Sequence, residues 1–70
     1  MKTKDLIKKH QTCIKILEAI EVFESLIEHK ALSIEALNGN FPDLKAKYLH
    51  NIDIYKRCIS RLTLRYTKQL

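Results

Sequence analysis

Arg57, Arg61 and Arg65 recur every four residues, and Lys68 follows three positions later. At that spacing the four cations form a stripe along one side of an α-helix, the side opposite its apolar seam. Arginine presents a planar fork of N–H donors that matches phosphate or carboxylate. Clustered cations also attract nucleic acid by releasing its condensed counterions. Lys8 and Lys9 join this candidate binding surface if the two ends of the chain meet in space. The plainer use of such a stripe is a solvated helix face, or one answered by an acidic segment of a second subunit.

The other reactive side chains form no catalytic pattern. His10 and Cys13 share a helical face, but a zinc site needs four converging ligands, and no compact Cys/His spacing supplies them. Catalysis through Cys13 or Cys58 needs a base, an orienting group and a pocket. Glu18, Glu21, Glu24 and Glu28 step by three or four. Acid–base work needs carboxylates in contrasting environments, whereas this row reads as a solvated face salt-linked to Lys45 and Lys47. Tyr48, Tyr55 and Tyr66 have the rings to stack on unpaired bases, yet they fall inside an apolar repeat and read as core. The residues therefore predict no enzyme, no metal, no cofactor and no small-molecule substrate.

The elements that position these residues are helical. A first helix is expected over about 4–30, with Thr3 as N-cap, Asp5 in the first turn, and His29 and Lys30 in the last turn. Its stripe is Leu6, His10, Cys13, Leu17, Ile20 and Ile27, widened by Ile16 and Phe23. A break follows, with a short helical turn over about 33–38 that Ser33 caps and Asn38-Gly39 ends. Pro42 opens a second long helix over about 42–68. Its seam of Tyr48, Ile52, Tyr55, Ile59, Leu62 and Tyr66 alternates steps of four and three. The connection returns the second helix antiparallel to the first, with facing residue numbers summing to about 74. Ala31, Leu32, Ile34, Leu37 and Phe41 would close the loop end.

Seventy residues allow one domain near the lower limit at which a single core is sufficient. The composition is 46% hydrophobic and 30% charged, with one Gly and one Pro, which disfavours both a turn-rich β fold and disorder. Two cysteines are too few for a secreted disulfide scaffold. No secretory h-region and no membrane-spanning run is present, so a cytoplasmic setting with free thiols is expected. The net charge of +5 is unevenly placed. Residues 1–17 and 44–70 are basic, and residues 18–43 are acidic.

A hairpin of two helices cannot cover every apolar residue. Ile7, Ile14, Val22 and Leu26 lie off the first stripe, and Ile54 and Leu64 lie off the second, as does Cys58. Apart from Cys58, these residues are candidate interface positions. The fold class expected is thus an all-α antiparallel helical hairpin that dimerises into a four-helix bundle. The leading functional expectation is a small regulatory or adaptor protein that self-associates and docks on a larger macromolecule. An RNA- or DNA-binding hairpin using the arginine stripe is the alternative. A small inhibitor of phage or mobile-element type is a weaker one.

Overall fold

The computed structural model describes residues 2–70 as two α-helices, α1 (Thr3–Leu37) and α2 (Pro42–Gln69). They lie against each other as an antiparallel hairpin, with Cα extents of 58 × 15 × 11 Å.

The expected break after residue 30 does not occur. From Ala31 to Leu37 the chain has no Gly or Pro, and Ala, Leu and Glu are strong helix formers. Ser33 does not cap a new helix. Its Oγ donates to the His29 carbonyl at 3.0 Å, one turn back in the same helix. Residues 31–37 are therefore the last two turns of α1, and His29 and Lys30 lie before its last turn, which holds no basic residue. Thr3 is likewise the first helical residue, not the cap. The extended Lys2 precedes it, and the Lys2 carbonyl accepts the Asp5 and Leu6 N–H groups.

The turn is four residues long. Asn38 takes a left-handed conformation (φ 50°) and donates its N–H to the Glu35 carbonyl, and Gly39 follows at φ 80°. Phe41 is also left-handed (φ 55°), an uncommon state for a bulky side chain. Its carbonyl accepts the Lys45 N–H, and Pro42 begins α2 as expected.

This turn sets the register. The Phe23 and Tyr55 rings lie 6.0 Å apart, and Lys30 Nζ sits 4.6 Å from the centre of the Tyr48 ring. In both pairs the residue numbers sum to 78, not 74. The longer α1 and shorter connection slide the helices by four residues. That is close to one helical turn, so the same side of α2 still faces inward. Tyr48, Ile52, Tyr55, Ile59, Leu62 and Tyr66 are all half-buried, together with Leu44, Asn51, Cys58 and Gln69.

The inward side of α1 is Cys13, Ile16, Ile20, Phe23, Ile27, Lys30, Ile34 and Leu37, with steps of three and four alternating throughout. Ile16, at 5% exposure, is the one buried side chain among the described residues. Lys30 occupies a seam position by laying its stem inward and its ammonium on the Tyr48 ring. Leu6, His10 and Leu17, placed on the seam from the sequence, are exposed. Leu6 keeps the seam phase, but residues 3–8 run past the last turn of α2. His10 and Leu17 each sit one residue beyond a seam position. At the loop end Ile34 and Leu37 are half-buried, while Ala31, Leu32 and Phe41 are exposed.

Two expected outcomes follow. Ile16→Ala should cost about 2–5 kcal/mol in chemical denaturation, against about 0.5 kcal/mol or less for the exposed Leu32→Ala. Ala31→Pro should cost about 3 kcal/mol, because it breaks a helix interior. A break at residue 31 would make that change nearly neutral.

Candidate functional site

Each helical residue turns the chain by about 100°, so a step of four overshoots a full circle by about 40°. The arginine stripe therefore winds around α2 and does not stay opposite the seam. Arg57 points outward, with Nη2 3.0 Å from Asp53 Oδ2, the one ion pair among the described residues. Arg65 reaches the edge of the seam, where it lines a shallow groove with Thr12, Lys15, Ile16, Ala19 and Leu62. Arg61 joins it along a second groove beside Phe23, Cys58 and Leu62.

This winding changes the membership of the basic site. Lys15 stands across the groove from Arg65, and the sequence reading did not include it among the binding residues. Its signal was available, since Lys8 and Lys15 are one heptad apart, as are Arg61 and Lys68. Each pair keeps one side of its helix. Lys9 leaves the set, because it lines a groove on the other side of the hairpin with Leu6, His10, Cys13, Gln69 and Leu70. The basic face is then Lys8, Lys15, Arg61, Arg65 and Lys68. All five are exposed, and no Asp or Glu occurs in 8–15 or 61–68.

The open half of the rod, 2–17 with 57–70, carries nine Lys and Arg against Asp5 alone. The loop half holds the other seven acids and four Lys. Glu18, Glu21, Glu24 and Glu28 are exposed, and no ion pair joins them to Lys45 or Lys47.

The apolar candidates are exposed but do not form one patch. Ile7 and Ile14 lie on one side of α1. Val22 and Leu26 line a shallow groove on another side with Glu18, Glu21 and Ser25. Ile54 and Leu64 are exposed on α2. Tyr48, Tyr55 and Tyr66 sit half-buried in the seam and are not open stacking platforms. Cys13 and Cys58 are free and half-buried. The register sets Cys58 opposite residue 20, about 10 Å along the rod from Cys13 at roughly 1.5 Å per residue. No three His, Cys, Asp or Glu side chains converge on a metal-sized site among the described residues. Nor is any described helix long and apolar enough to cross a membrane.

No family model matches this chain, and neither a curated protein nor a solved structure matches it. The surface itself is the source of any functional reading.

The thiol separation gives a direct check. A disulfide needs Cα atoms within about 7 Å, so mild oxidation should leave no internal Cys13–Cys58 link in peptide mapping. Its ready formation would refute the register.

Proposed function

We propose that the protein is a non-catalytic regulatory or adaptor protein that associates with a second copy of itself and docks on a larger macromolecule. One observation carries this reading. A hairpin with a single buried side chain among its described residues leaves Ile7, Ile14, Leu17, Val22, Leu26 and Ile54 exposed. Large apolar groups left exposed in such number on a small protein mark contact surfaces, and a chain this short gains the core it lacks by association.

The acid-free basic face supports a second reading, in which the macromolecule is RNA or DNA held through its phosphates. Cations from both helices flank one groove there, and Arg57, which already has a carboxylate partner, stands apart from them. Contacts of this kind give affinity without sequence preference.

Sedimentation equilibrium at micromolar concentration tests the leading reading and should give a dimer or larger species. A monomer at all concentrations would overturn it. Replacing Lys15, Arg61 and Arg65 together with Gln tests the second. The variant should keep its helicity, lose nucleic-acid affinity, and show a salt dependence shallower by roughly 0.7–0.9 per lost contact. A parent protein that binds no nucleic acid at low salt would remove this reading.

A further inference from the structure

We infer that the second copy packs along α1, antiparallel to it and about a two-fold axis beside Gln11, with Ile7, Ile14 and Leu17 of each copy at the contact. The inference rests on the self-association proposed above and specifies its geometry.

Ile7, His10, Ile14 and Leu17 step by three, four and three, which is the rhythm of a packing seam. Each is one residue beyond a position in phase with the α1–α2 seam, so this second stripe is turned from the first by about 100°. Its apolar members are 51%, 41% and 46% exposed. The same stripe continues as Glu21, Glu24 and Glu28, so its apolar part is confined to the open half of the rod.

The apolar part is self-complementary. Its midpoint lies near residue 12, and reversing it there sets Ile7 against Leu17 and His10 against Ile14 of the other copy. Lys4, Gln11 and Glu18 are spaced by seven along the outer rim of this stripe. The reversal brings Lys4 of each copy to Glu18 of the other, and Gln11 to its own counterpart. Both ends of that rim therefore pair opposite charges, and its middle pairs two amides.

The surroundings favour this side over the others. Leu70 borders it next to His10, and Thr63, one heptad before Leu70, brings no charge. The basic face of Lys8, Lys15, Arg61 and Arg65 points elsewhere and stays open. A contact through Val22 and Leu26 would instead approach those cations on a side with no acid in 8–15 or 61–68 to answer them. The second α1 would stand at nearly a right angle to α2 around the first. The two-fold axis then puts both α2 helices on one side, where their last two turns, residues 63–69, close a square with the α1 pair.

Charge exchange tests the geometry by sedimentation equilibrium in about 50 mM salt, where exposed pairs are weakly screened. Lys4→Glu alone and Glu18→Lys alone each set like charges together at both ends of the rim and should weaken the dimer roughly tenfold. The double variant should recover parental affinity. Ile14→Asp should give a monomer with a lowered thermal midpoint, and Val22→Asp should remain a dimer. A dimer indifferent to Ile14→Asp and to the charge exchange would overturn this arrangement while leaving self-association standing. A monomeric parent would overturn both.

Discussion

A pair of helices has one seam, and the rest of the molecule follows from that limit. Each helix offers one side to the other, and side chains at the edges of that contact remain half in water. Ile16, which the register sets opposite Leu62, is the one described side chain that escapes this. Burial at roughly 25 cal/mol per Å² stabilises the seam only in proportion to the area removed from water. A hairpin with one buried side chain among its described residues therefore has little margin over the entropy of ordering its chain. The exposed apolar stripe is the counterpart of that shortfall.

The turn decides which residues share the seam. Asn38, Gly39 and Phe41 all take positive φ angles, which reverses the chain in four residues and fixes the pairing of Phe23 with Tyr55. A slide of four residues preserves the inward side of α2 but changes every cross-helix neighbour. It also moves the end of α2 back along α1, which leaves Leu6 exposed.

The helical class, the antiparallel hairpin and the α2 seam were legible in the sequence because an unbroken alternation of fours and threes has no other reading. Pro42 and Gly39 announced their positions for similarly local reasons. The end of α1 was not legible. Ser33 suits both a cap and a helix interior, and only its bond to the His29 carbonyl distinguishes them. The α1 seam was hidden because Leu6 and Leu17 are as apolar as Ile16, and Lys30 disguises a seam position as a charged one. The basic site was half legible. Four-residue spacing identified the arginines, but the winding that brings Arg65 to Lys15 depends on which side of α2 faces α1.

Self-association is the claim on which the functional account depends, and linkage between folding and assembly exposes it directly. If the hairpin gains its stability from a second copy, its thermal midpoint must depend on protein concentration. Far-ultraviolet circular dichroism melts over a hundredfold range of concentration should show a midpoint that climbs steadily. A cooperative, reversible melt with the same midpoint throughout would contradict the account, because it would mean that one hairpin is sufficient.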